Sequence, residues 1–115
     1  MTASIVDGPA IIIGYEYRLQ IEAESELFPV GATFAGQLRA KVSAATPVTT
    51  LTTDNGGVMR LTDRVVELVV PATATAGLAP GSAVLDLVRT DLTQPRHLAF
   101  MLEIPVAQPV TRGLG

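Results

Sequence analysis

The sequence predicts an all-β domain, an antiparallel two-sheet sandwich of about seven strands with one short helical turn. Residues 32–42 place apolar groups on the even positions and polar or small ones on the odd, the two-residue period of a strand buried on one face. The same alternation recurs along the chain, and nowhere does a sustained helical period replace it. Short clusters of Gly, Pro, Asn and Asp divide the alternating runs, as turns between strands require. A small closed β-barrel is the competing arrangement.

Each element follows from its residues in order. Residues 1–14 are read as an amino-terminal arm, with the apolar Ile11-Ile12-Ile13 behind Asp7-Gly8-Pro9. Without a basic leader, and far too short to span a bilayer, that run is expected to be neither a signal peptide nor a membrane span. Residues 15–23 alternate without a break, with Tyr15, Tyr17, Leu19, Ile21 and Ala23 facing a core and Glu16, Arg18, Gln20 and Glu22 facing water. Residues 24–31 interrupt the period with charge, Pro29 and Gly31, so they form a connection whose Leu27 or Phe28 plugs the end of the core.

The second alternating strand covers 32–42. Residues 46–53, rich in Thr and Val, are extended and end at Asp54-Asn55-Gly56-Gly57, the strongest turn signal in the chain because Asn and Gly adopt positive φ at low cost. Residues 58–61 and 64–70 flank a break at Thr62-Asp63, and Pro71 stops the second of them. Residues 72–78 hold the one plausible turn of helix, closed by Gly77 and pinned by Leu78. A strand over 82–91 directs Leu85 and Leu87 inward, with Asp86 and Arg89 outward. The last strand, 98–106, has apolar residues at every even position and ends near Pro105, which has no N–H for a ladder and belongs on an edge. The body therefore spans 15–107, and 108–115 form a carboxy-terminal tail.

Composition narrows the function. The 115 residues fit one domain, and 48% apolar content supports a core without staples. The absence of cysteine removes disulfides, thiolate metal sites and thiol nucleophiles. A net charge of −3, with eight scattered basic residues, leaves no footprint for phosphate backbones, so nucleic acid is not an expected partner. Two Tyr, three Phe and no Trp are thin for a sugar-stacking platform.

Reactive side chains are sparse. His97 is the only histidine and reads as an exposed residue at the start of a strand. Asp54, Asp63, Asp86 and Asp91 lie in or beside turns without calcium-loop spacing, and turn chemistry explains them better than a metal does. Glu22, Glu24 and Glu26 read as a solvated strand end. No Gly-x-Ser-x-Gly elbow or glycine-rich phosphate loop is present, so neither catalysis, nor a cofactor, nor a small-molecule substrate is expected.

Met101 is more informative, because it falls on the phase opposite Phe100, Leu102 and Ile104, beside Pro105. A large apolar group on the outer phase implies that this face is covered, by the chain's own arm or, preferably, by another subunit, since an arm that buried little would lose chain entropy for nothing. Ile11, Ile12, Ile13, Met101, Pro105 and Val110 are the candidate subunit-interface residues.

The order of motifs carries a resemblance: Tyr17-Arg18-Leu19-Gln20-Ile21, then Gly31-Ala32-Thr33-Phe34 with Gln37-Leu38-Arg39, then Leu51-Thr52-Thr53-Asp54-Asn55-Gly56-Gly57, a crossover from Val70 through Pro71 to Leu78, and Ala83-Val84-Leu85-Asp86-Leu87-Val88-Arg89-Thr90-Asp91. Over roughly residues 15–107 this resembles small tailed-bacteriophage and prophage proteins with an immunoglobulin-like sandwich, similar to the amino-terminal domain of upper baseplate proteins. The resemblance implies a non-enzymatic virion component, made in the cytoplasm of a bacterial host, that docks on other virion structural proteins by sheet edges and arms in a symmetric homo-oligomeric assembly, without catalytic residues. The chain departs from the pattern between Ala23 and Val30, where a shorter turn is expected, and in its apolar amino-terminal arm. A capsid-decorating or neck protein is the nearest alternative, and a carbohydrate-binding β-domain a more distant one. A metal-dependent hydrolase comes last, since it needs several aspartates within reach of His97.

Overall fold

The computed structural model describes residues 10–111 and the backbone of 3–5; the outer parts of both expected extensions, at 1–2, 6–9 and 112–115, lie outside the described residues. In chain order the elements are β1 (Ala3–Ile5), β2 (Ile11–Ile12), β3 (Tyr17–Ala23), β4 (Phe34–Arg39), β5 (Thr49–Thr52), β6 (Val58–Thr62), β7 (Val65–Val70), α1 (Ala72–Thr75), β8 (Gly81–Arg89) and β9 (Arg96–Ala107). They form a four-stranded sheet in the order β1-β3-β7-β6 and a five-stranded sheet in the order β2-β9-β8-β4-β5.

This is an immunoglobulin-like sandwich. Taken in chain order, one sheet follows the A-B-E-D pattern of that fold, and β4, β8 and β9 occupy the C, F and G places of the other, with β5 added beside C. Among the described residues every pairing is antiparallel except β2 with β9, which is parallel through Ile11 opposite Val106 and Ile12 opposite Ala107. A fully antiparallel sandwich was the expectation; the exception arises because the amino-terminal segment pairs first with β3 in one sheet and then with β9 in the other.

The core follows the predicted phases. Along β3 the odd residues Tyr17, Leu19, Ile21 and Ala23 are buried, and along β4 the even residues Phe34, Gly36 and Leu38 are buried. Leu85 and Leu87 of β8 also point inward, as does Ile104 of β9. Phe28 does plug the end of the core: it is fully buried and meets Phe34 edge to face, with centroids 5.4 Å apart and planes at 79°. Leu27 is only partly buried.

Three expected boundaries need correction. Tyr15 is not a core residue but is 39% exposed, because Gly14 (φ +88°) turns the chain before β3 begins. The second strand ends at Arg39 rather than at 42, leaving Val42 exposed in the following loop, where the Arg39 guanidinium donates to the Ala44 carbonyl at 2.8 Å. The arm is not wholly an extension: Ile11 and Ile12 form an edge strand of the body, and Ile11 is fully buried.

Thr75, the only buried polar residue among those described, fastens this corner. Its hydroxyl accepts from the Gly14 amide at 3.1 Å and donates to the Tyr15 carbonyl at 2.8 Å, joining α1 to the turn between β2 and β3. Thr75→Val keeps the shape but strands both partners, and is expected to cost about 1–3 kcal/mol in urea unfolding, whereas Thr75→Ser retains most of that stability.

Candidate interaction surface

No three metal-ligating side chains gather anywhere among the described residues. The acidic residues singled out from sequence are dispersed, and three of them have cationic or imidazole partners. Asp63 pairs with Arg60, Asp86 lies 2.8 Å from His97, and Asp91 takes both ends of the Arg89 fork at 2.8 and 3.0 Å. Asp54 stands exposed in the turn before Gly56 (φ +80°). That turn is built by Asn55, whose side-chain carbonyl accepts from the Thr52 and Gly57 amides at 2.9 and 2.8 Å.

Asp91 also accepts from the Thr33 amide at 3.2 Å, tying the start of β4 to the end of β8. The Arg89 hydrogen bond above all, with the Thr33 amide adding to it against partial desolvation, lowers its pKa from 3.8 to about 2. A carboxyl with a depressed folded-state pKa contributes stability that is complete above its unfolded value and is lost as pH falls through the folded one. Wild type is therefore expected to lose this contribution between about pH 4 and pH 2, and Asp91→Asn to show a shallower loss over that window in acid unfolding followed by circular dichroism.

His97 is exposed, as read from sequence, but it has a structural task that alternation does not reveal. Between Asp86 and Val88 the β8–β9 register shifts, and Ala99 adopts φ +65° within the bulge. His97 spans it, Nε2 at 2.8 Å from the Asp86 carboxylate and Nδ1 accepting from the Ala99 amide at 2.9 Å. With Nδ1 an acceptor, the proton belongs on Nε2, aimed at Asp86. His97→Ala is expected to destabilise the fold by about 1 kcal/mol, read from a urea midpoint, because the strained alanine loses its clip.

The six interface candidates divide. Ile11 is lost to the chain's own core, since its side chain fills the space between the sheets beside Val106; this corrects its reading as a contact residue. Ile13 is partly buried against the core, with its amide on the Ala107 carbonyl at 3.0 Å. Ile12, at 36%, and Pro105 remain exposed near one end of the five-stranded sheet. Val110 is almost fully exposed, next to Thr111, whose carbonyl accepts from the Tyr15 hydroxyl at 2.9 Å.

Met101 lies on the outer face of that sheet, 57% exposed. It borders a shallow groove of about 300 Å³ whose apolar lining includes Val42 and Val84, with Gln37, Arg39 and Asp86 supplying polar groups. Sequence reading missed Val42 here because the longer strand put it on the inward, apolar phase. On the opposite sheet, Met59 and Leu61 of the edge strand β6 are also exposed.

No protein-family model and no curated sequence matches the chain.

Proposed function

We propose that the protein is a non-enzymatic structural component of a tailed phage or phage-like particle, a tail or baseplate adaptor that docks on other virion proteins. The observation that carries this reading is the placement of exposed large apolar side chains at the sheet margins: Ile12 on the outermost strand β2, Met59 and Leu61 on the outermost strand β6, and Met101 on the outer face of β9, the neighbour of β2. Apolar groups on strand edges are what an assembling sandwich uses and what a solitary one suppresses with charge. The motif order described above supplies the virion setting. His97 and the turn aspartates Asp63, Asp86 and Asp91 are meanwhile engaged in holding the fold, through the Asp63–Arg60, Asp86–His97 and Asp91–Arg89 pairs. Tyr17, Phe28 and Phe34 are buried, so few rings remain to stack on a sugar.

Antibody labelling of particles from the native source, read by electron microscopy, tests the proposal. Label at the tail end is the expected result. Label over the head replaces the tail assignment with capsid decoration, and protein confined to the soluble fraction overturns the virion reading.

A further inference from the structure

The five-stranded sheet is unfinished along β9. Among the described residues, β9 has β8 on one side, but on the other it has only β2, which pairs at Val106 and Ala107. The direction of its free backbone groups can be read from two facts. The Ala107 carbonyl accepts from Ile13 on the outer side, and Pro105, of the same parity, has no N–H to give to β8. Residues of odd number in this part of β9 therefore aim their peptide groups outward. Among the described residues, no strand receives the two N–H and two C=O groups that Met101 and Glu103 present.

The core along this edge is unfinished too. On the inward phase, Val106 and Ile104 are buried, whereas Leu102 and Phe100, farther from β2, are only partly covered. The other outer strands are poorer templates: β1 has three residues, β5 has four, and β6 shifts register between Arg60 and Thr62.

We propose that a second copy of this chain completes the edge, β9 pairing antiparallel with its counterpart about a two-fold axis at Leu102. The limits of the free segment select that register. Beyond Pro105 the edge is occupied by β2, and at Ala99 the bulge turns the strand, so the usable stretch is centred on Leu102. A strand centred there pairs Met101 with Glu103 of the other copy, which satisfies all four outward groups on each side. The two Glu103 carboxylates are kept apart, whereas an axis at Glu103 would set like charges face to face. Leu102 meets its own copy, and the two part-covered Phe100 side chains gain cover beside the other copy's Ile104. Ten strands then form one continuous sheet across the pair. The inference deepens the assembly reading, and rests on it for the claim that the protein works in several copies.

The chain has no cysteine, so a single introduced thiol reports the register. Across a non-hydrogen-bonded antiparallel pair the Cα atoms lie about 4.5 Å apart, inside the roughly 4.4–6.8 Å that a disulfide accepts. Leu102→Cys is expected to oxidise to a covalent dimer about tenfold faster than Met101→Cys or Glu103→Cys, whose thiols face a different residue of the partner. In sedimentation, wild type is expected at twice the 12.0 kDa of one chain. Glu103→Pro, which removes an outward donor but no bond to β8, is expected to raise the dimer dissociation constant at least about tenfold.

A wild type that stays monomeric, or a dimer in which the three thiols oxidise at equal rates, overturns the pairing. Should Glu103→Pro fail to fold, the thiol comparison decides alone. A strictly monomeric chain found in particles defeats this interface and leaves the virion reading standing; a Leu102-registered dimer absent from every particle does the reverse.

Discussion

Phe28→Ala is expected to lower stability by about 3–5 kcal/mol, a large part of the roughly 5–15 kcal/mol that holds a domain of this size. The ring is fully buried, and its removal opens a cavity at the end of the sandwich beside Phe34. The loop cannot collapse into that space cheaply. The Phe28 amide donates to the Asp63 carbonyl at 2.9 Å, and its own carbonyl accepts from Arg60 Nε at 2.8 Å, so the backbone is pinned to the β6–β7 turn. Equilibrium urea unfolding measures the effect, with the partly buried Leu27→Ala as the milder comparison. A loss below about 1 kcal/mol for Phe28→Ala would show that the ring is dispensable to the core.

Gly36→Ala is expected to cost about 3 kcal/mol for the opposite reason, the upper range of overpacking. A Cβ at this position lies 2.5 Å from the Asp86 carbonyl oxygen and 2.9 Å from Leu87 Cδ2. The first of these is backbone in the neighbouring strand β8, which cannot retreat without disturbing the β4–β8 ladder. The glycine is therefore a packing requirement of two closely approaching strands. The same urea titration reads it, and a midpoint equal to wild type would mean that β4 and β8 are farther apart than described.

What was legible in the sequence is what a two-residue period encodes. The inward sets Tyr17-Leu19-Ile21 and Phe34-Leu38 could be read directly, because burial on one face of a sheet constrains every second side chain. The turn at 54–57 was legible because its residues carry their own backbone preference, seen in Gly56 and in the Asn55 hydrogen bonds. What was hidden depends on neighbours distant in sequence. A strand as short as Ile11–Ile12 has no measurable period, so its parallel pairing with β9 and the burial of Ile11 leave no local trace. The bulge at Ala99 interrupts an apparently perfect alternation, and only the meeting of His97 with Asp86 across two strands marks it. Met101 could be placed on the outer face from its phase alone. The open edge beside it could not, since which strand lies outermost is a property of topology.

Residue-resolved amide hydrogen exchange, compared between the dilute free chain and the assembled form, tests most directly whether the β9 edge is where this protein joins others. The Met101 and Glu103 amides are expected to exchange without protection in the dilute chain and about a hundredfold more slowly on assembly, while the inward Leu102 amide, bonded to β8, is protected in both. Equal, rapid exchange of Met101 and Glu103 in the two states would contradict the account.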